Sequence, residues 1–271
     1  MPKIFKAKTA LISVFNKDGL KPIVEKLNDL GINIISTGGT ALYIKKLGID
    51  VMNVEELTSY PSILGGRVKT LHPKIFGGIL NRKNNRDDED EILKYQIPKI
   101  DIVIVDLYPF QQTVDSGASI NDIIEKIDIG GIALIRAAAK NYESVVCVSN
   151  SNMYSTLLNL LSENKEKFNI KERKRFSAKA FEISSSYDFL INSYLSNKGS
   201  LKIYSNQELK LRYGENPHQA GFFYGNFDSI FKKHSGENLS YSNLCDAISA
   251  GIGSGGFNVD NCKQCAKKMV L

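Results

Sequence analysis

Apolar positions along the first 150 residues switch repeatedly between two spacings. Thr9–Phe15 (TALISVF) is a short β-rich run, and Asp18–Leu30 then carries Leu20, Ile23, Val24, Leu27 and Leu30 at helical intervals. Ile32–Ser36 (INIIS) predicts a second strand, broken by Gly38-Gly39, and Thr40–Leu47 a second helix. Asp50–Val54, Asp101–Leu107 (DIVIVDL) and Val145–Val148 predict three further strands. Strands that are apolar on both faces and separated by helices specify an α/β fold, a doubly wound parallel sheet covered on both sides. Function in such folds collects at the carboxyl ends of the strands.

The alternation lapses over Thr58–Pro98, which is dense in functional groups at GGRVKTLHPK. Long irregular segments inside compact domains are functional or disordered. The expectation is a binding loop followed by a solvated charged stretch, Asn81–Glu91 (NRKNNRDDEDE). Met153–Leu161 and Lys171–Leu195 read as helices, and small polar residues at Ser196–Ser200 mark a boundary. A second unit opens with Tyr204–Gln219.

Composition narrows the class. With 42% hydrophobic and 24% charged residues in 271, the chain is globular rather than disordered, collagenous or coiled-coil. The net charge of +6 is spread thinly, which excludes a nucleic-acid-binding stripe and suits anionic small molecules. Four cysteines (Cys147, Cys245, Cys262, Cys265) make no disulfide framework and fit a reducing, cytoplasmic compartment. The N-terminal apolar run is too short for a signal peptide or membrane span. A single Cys262-x-x-Cys265 without two further ligands is a weak metal signal, and no metal is expected.

Ser36-Thr37-Gly38-Gly39-Thr40 sits between a strand and a helix, where glycines let a ligand approach and the helix N-terminus offers free N–H donors. An ordinary glycine turn with Thr40 as N-cap is the alternative. Ser13 and Lys17 end the first strand at the same sheet edge. Arg67 and Lys69, two positions apart in an extended segment, point one way and with Thr70 make an anion clamp; a solvated basic loop is the alternative. His72 is left unassigned. Asp106 and Tyr108 close the fourth strand, with the tyrosine either capping the core or reaching a ligand. Asp128 precedes a Gly-Gly helix start and Lys140 lies at that helix's end, so capping and dipole roles compete with functional ones. In the second unit, LRYGENPHQ (Leu211–Gln219) is a polar motif that on chemistry alone could be a turn.

Taken in order, STGGT, GGRVKTLHPKIFGGIL, DLYPF, IDIGGIALIRAAAKN and LRYGENPHQ resemble the bifunctional AICAR transformylase/IMP cyclohydrolase family of purine biosynthesis, over about residues 8–247. The resemblance implies a methylglyoxal-synthase-like α/β domain over residues 1–198, followed by the start of an α+β transformylase domain over 199–271. It implies closure of formyl-AICAR to IMP without a cofactor, a nucleotide as the small-molecule partner, and a homodimer. Carried over by position, Ser13, Lys17, Thr37, Gly38, Gly39, Thr40, Arg67, Lys69 and Thr70 hold phosphate and ribose, while Asp106, Tyr108, Asp128 and Ile129 surround the base. The implied catalytic set is Lys140, the family's proposed proton donor/acceptor, with Lys69, Tyr108 and Asp128. Phe15-Asn16 departs from the Ser-Asp often found in the family.

The family's second activity uses 10-formyltetrahydrofolate and a Lys-His pair downstream of a SYNN-like segment, here Ser240–Asn243. Lys233-His234 lies upstream of it and reads as a coincidence. From about Ile248 the sequence departs from the family, suggesting a frameshift, premature stop or incomplete gene. Arg212 and Tyr213 match AICAR-binding positions, yet no transformylase activity is expected. Phe222, Phe223, Phe227 and Phe231 are expected to lack partners. A non-catalytic nucleotide- or phosphate-binding module and an inactive truncation product remain as alternatives.

Overall fold

The computed structural model describes residues 5–83, 85–163, 167–196, 208–225, 227 and 238–253. Two compact units divide the chain, Met1–Ser196 and Asn197–Leu271. In the first, strands β1 (Phe5–Lys6), β2 (Thr9–Ser13), β3 (Asn33–Ser36), β4 (Met52–Asn53), β5 (Ile102–Val105), β6 (Val146–Val148) and β7 (Lys167–Phe168) alternate with helices. These are α1 (Leu20–Asp29), α2 (Gly38–Lys46), α3 (Val54–Thr58), α4 (Pro73–Leu80), α5 (Arg86–Lys94), α6 (Phe110–Asp115), α7 (Ile120–Ile124), α8 (Gly130–Lys140), α9 (Tyr154–Glu163) and α10 (Ile170–Leu195).

Strands β2 to β6 form one parallel sheet in the order β4-β3-β2-β5-β6, and β1 pairs antiparallel with β7. The period of two along each strand explains the layers. Ala10 and Ile12 of β2, Ile102 and Ile104 of β5, and Val146 and Val148 of β6 pack with Leu20, Ile23, Val24 and Leu27 of α1 and with Leu157 and Leu161 of α9. Their odd-numbered neighbours in β2 and β5, Leu11, Val103 and Val105, and Cys147 in β6 face Ile75 and Ile79 of α4 and the Leu134–Ala139 stretch of α8. Each strand is therefore buried on both sides, as its unbroken apolar run requires.

The chain turns outward along β3 and β4 from β2, then returns to build β5 and β6 on the other side. Register aligns Ile12 with Ser36 and Ser13 with Val105, so the carboxyl ends of β2, β3 and β5 lie level. This is the switch point at which such sheets open a crevice.

Two expectations are corrected. Thr58–Pro98 is not an irregular loop, since it contains α4 and α5. In α5, Asn85 caps the helix by accepting from the Asp88 N–H, and Asp87, Asp88 and Glu89 fill the first turn, where they complement the helix dipole. The stretch is helical from Arg86 onward, and α5 is solvated, with only Ile92 of its residues buried. Nor is GGRVKT extended: Leu64–Gly66 is a helical turn, Ile63 bridges Val68, and Arg67 adopts φ −64°, ψ −29°.

Helix α10 opens with a capping box between Asn169 and Glu172 and packs along α8 and β6. Its Arg173, 1% exposed, donates to the carbonyls of Tyr142, Glu143 and Phe168. A buried guanidinium thus satisfies backbone acceptors between α8 and β6 and at the end of β7.

In the second unit, β8 (Glu208–Lys210) pairs antiparallel with β9 (Phe222–Tyr224), and α11 spans Tyr241–Gly253. Phe223 is buried with Leu211 and Leu244, and meets Phe227 edge to face at 5.6 Å. The expected orphaning of the phenylalanines therefore fails for these two, and Phe222, although exposed, has its ring 6.4 Å from that of Tyr224. Helix α11 also runs through Ile248 without a break. Phe231, Lys233-His234, Cys262, Cys265 and the tail past Gly253 lie outside the described residues.

Candidate active site

A cavity of about 590 Å³ opens at the carboxyl ends of β2, β3 and β5. Its walls come from the β2–α1 loop (Ser13 to Lys17), the start of α2 (Thr37 to Thr40), the Gly65–Thr70 turn, the end of β5 (Asp106, Tyr108) and the approach to α8 (Glu125 to Gly131). Of the cyclohydrolase positions named from sequence, all but Lys140 are brought together here. Lys140 is exposed at the last residue of α8, whereas the cavity touches the first two. Lys140 is ten positions beyond Gly130 along the helix, about 15 Å of rise. The expected grouping of Lys140 with Lys69, Tyr108 and Asp128 is thus not produced, because α8 points its N-terminus at the crevice and its C-terminus away. Lys140 instead complements the C-terminal dipole of that helix.

The anion end is built from α2. Thr37 is the N-cap, not Thr40, and makes no side-chain capping bond. Ser13 Oγ and Thr37 Oγ1 are 2.8 Å apart. Thr40 is committed elsewhere: its hydroxyl donates to the Val14 carbonyl at 2.9 Å and accepts from the Val14 N–H at 3.2 Å. It fixes the β2–α1 loop to α2 rather than offering its hydrogen to a ligand. The N–H groups of Gly38 and Gly39 open the helix and have no acceptor within it. Gly38 has φ +39°, and a β-carbon there would lie 2.8 Å from Lys69 Nζ. Glycine is what lets the ammonium sit against the helix N-terminus.

Both clamp cations carry carboxylate partners. Lys69 Nζ lies 3.4 Å from Glu55 Oε1, and Arg67 makes a two-pronged pair with Glu125. Lys17 donates to the carbonyls of Val14 and Phe15 at 2.8 and 2.7 Å, which leaves one of its three donors. Glu55 and Glu125 are residues that sequence reasoning did not name. Glu125 stands three residues before Asp128, but nothing local links Glu55 to Lys69.

The opposite wall carries the titratable groups. Asp106 accepts from the backbone N–H groups of Phe15 and Asn16, joining the end of β5 to the β2–α1 loop. Asp128, one residue before the N-cap Ile129, accepts at Oδ1 from the Gly131 N–H at 2.6 Å, so it satisfies a donor at the start of α8 while lining the cavity. A β-carbon on Gly131 would fall 2.5 Å from its carboxylate, which shows how closely the helix start is drawn in. Tyr187, far along α10, donates to the Lys126 carbonyl at 2.6 Å and accepts from the Asp128 N–H at 3.0 Å. This bridge positions Asp128 from 59 residues away, with no signal in the local sequence.

Burial raises the carboxyls of Asp128 and Asp106 above the ordinary aspartate range, although backbone N–H groups oppose the shift. Burial, with the two carboxylates, also raises the Tyr108 phenol. Groups pushed from their usual values in a cleft are candidates for proton transfer. His72 has a structural part: its Nδ1 accepts from the Lys74 N–H at 3.2 Å at the start of α4. Among the described residues, no cluster of side chains could hold a metal ion, and no helix is long and apolar enough to cross a membrane.

The MGS-like domain model matches residues 19–133, and the AICARFT/IMPCHase bienzyme model matches 138–266. The bifunctional purine biosynthesis protein PurH of Bacteroides thetaiotaomicron is 54% identical over 245 residues, 90% of this chain and 48% of that protein. The chain belongs to the PurH family. PurH of Listeria monocytogenes is 43% identical over 256 residues, and that of Bradyrhizobium diazoefficiens 39% over 267. The chain spans about half the length of these PurH relatives. A crystal structure of ForH covers 72% of this chain and 100% of its own, at 32% identity and TM-score 0.61. An MGS-like α/β domain is therefore the frame for the cavity.

Arg212 and Tyr213 lie in the second unit. The guanidinium stacks 5.0 Å from the Tyr213 ring, and its Nη2 is 3.2 Å from the hydroxyl. The RYGENPHQ stretch closes on itself through Gly214 N–H to the Gln219 carbonyl, 2.7 Å, and Asn216 N–H to the Gln219 side chain, 2.9 Å.

Proposed function

We propose that this chain catalyses the cyclohydrolase step, closure of formyl-AICAR to IMP with loss of water. The observation that carries the reading is a single crevice in which an anion-binding helix start and two clamp cations face two carboxylates and a phenol. The substrate phosphate would sit on the Gly38 and Gly39 N–H groups, with Ser13, Lys17, Thr37, Arg67, Lys69 and Thr70 around it. Thr40 supports that seat through Val14. The heterocycle would then lie toward Asp106, Tyr108, Asp128 and Ile129.

The carboxamide nitrogen is a weak nucleophile, but its attack on the neighbouring formyl carbon is intramolecular once the two groups are held coplanar. The developing oxyanion would be stabilised by Lys69. Asp128 and Tyr108 would take the proton from nitrogen and return one to the departing hydroxyl. No metal or redox cofactor enters this scheme. The proposal is confined to ring closure.

The decisive measurement is formyl-AICAR cyclisation by Lys69→Met and Lys140→Met proteins whose folding has been verified. Removing an oxyanion donor costs about 10²–10³ in kcat, so Lys69→Met is expected to lose activity on that scale. Lys140→Met is expected to turn over near the wild-type rate. Normal turnover by Lys69→Met would overturn the reading.

A further inference from the structure

Two half-exposed aromatic rings stand side by side in the cavity wall. Phe15 is 46% exposed and Tyr108 41%, and both line the cavity. Their rings meet edge to face, with centroids 5.5 Å apart and planes at 81°. Lys126 Nζ lies 5.5 Å from each ring centre, so a single ammonium holds both faces. Phe15 is fixed along its backbone as well: its N–H donates to Asp106, and its carbonyl accepts from Lys17 at 2.7 Å. A phenylalanine anchored this firmly, yet left with nearly half its surface open in a polar crevice, is not there to fill the core. Phe15 and Asp106 also line a second cavity, of about 560 Å³, and so form the partition between the two.

We infer that Phe15 is a binding and positioning residue for the flat heterocycle of the substrate, offering it an aromatic face and holding the Tyr108 ring at its working angle. The inference rests on the cyclohydrolase reading, which supplies the heterocycle. Its physical basis is general: a π-face stacked on an aromatic side chain gains affinity without hydrogen-bond readout. Because the phosphate would be held by α2 and the Gly65–Thr70 turn, the contribution of Phe15 is confined to the base. Ligands with and without a base therefore separate it from every other part of the site.

The test is calorimetric titration of wild-type, Phe15→Ala and Phe15→Tyr proteins with inosine 5′-monophosphate and with ribose 5-phosphate. Phe15→Ala is expected to bind the nucleotide about tenfold more weakly, Phe15→Tyr to recover it, and ribose 5-phosphate to bind all three alike. In cyclisation kinetics the alanine variant should raise KM for formyl-AICAR more than it lowers kcat. Equal nucleotide affinity in wild type and Phe15→Ala overturns the inference and leaves the cyclohydrolase reading intact. Parallel loss of both ligands also overturns it, by showing that Phe15 only maintains the loop. A wild-type protein that binds neither ligand removes the cyclohydrolase reading and this inference together.

Discussion

Gly38→Ala tests the anion seat most directly, because one methyl group acts on stability and on the site through separate causes. At φ +39° an L-residue brings its β-carbon against the following carbonyl, at a cost of about 1–2 kcal/mol. For a unit of this size that corresponds to a fall in Tm of about 2–8 °C. The new carbon would also stand 2.8 Å from Lys69 Nζ, well inside contact distance. The ammonium ends a flexible chain and moves rather than clashes, so the second cost is functional. A hydrogen bond to a charged group contributes about 1.5–3 kcal/mol, and displacing Lys69 should weaken inosine 5′-monophosphate binding about ten- to a hundredfold. Gly39→Ala is the control for stability. No atom lies within 4 Å of its β-position, and replacing glycine in a helix stabilises by about 0.5–1 kcal/mol. Thermal unfolding followed by circular dichroism, with titration of the nucleotide, gives both quantities. If Gly38→Ala melts at or above Gly39→Ala, or binds the nucleotide as wild type does, the account of this helix start is wrong.

Two buried groups, Asp128 and Tyr154, give three further expected outcomes. The raised carboxyl of Asp128 places the acidic limb of kcat/KM for cyclisation above the ordinary aspartate value, and Asp128→Asn should flatten that limb. The same shift means that protonating Asp128 favours the fold: its contribution is complete below the ordinary aspartate value and is lost as pH rises through the raised one. Urea midpoints at neutral pH should therefore be no lower for Asp128→Asn than for wild type. Tyr154, 6% exposed, has a hydroxyl with no hydrogen-bond partner among the described residues. Tyr154→Phe removes that desolvated group and should raise stability by about 1 kcal/mol, read as a higher urea midpoint with unchanged slope; a lower midpoint would show that the hydroxyl is satisfied.

The strands were legible because burial on both faces demands unbroken apolar runs such as Ile102–Val105, and α1 because Leu20, Ile23, Val24 and Leu27 recur on one face. Helix α5 was not, since RDDEDEILK has one buried residue and its helicity rests on the Asn85 cap and the acidic first turn. Short-range chemistry was also readable: the STGGT helix start, the Arg67 and Lys69 cations and the Asp128-Ile129-Gly130-Gly131 approach to α8 are each local in sequence. What each group is bonded to was not readable. Thr40 is held by Val14, Arg67 by Glu125, Lys69 by Glu55 and Asp128 by Tyr187. These partners come from other elements and carry no spacing rule.

Sequence alone thus determined the layered α/β fold, the edge at which chemistry collects, and most of the residues that gather there, because periodicity and glycine placement are local properties of the chain. Tertiary structure alone decided that Lys140 stands about 15 Å of helix away from the cavity, that Phe15 and Tyr108 share one wall, and that Tyr187 sets Asp128. Helix direction and long-range packing fix those distances, and neither is encoded in the neighbours of the residue concerned.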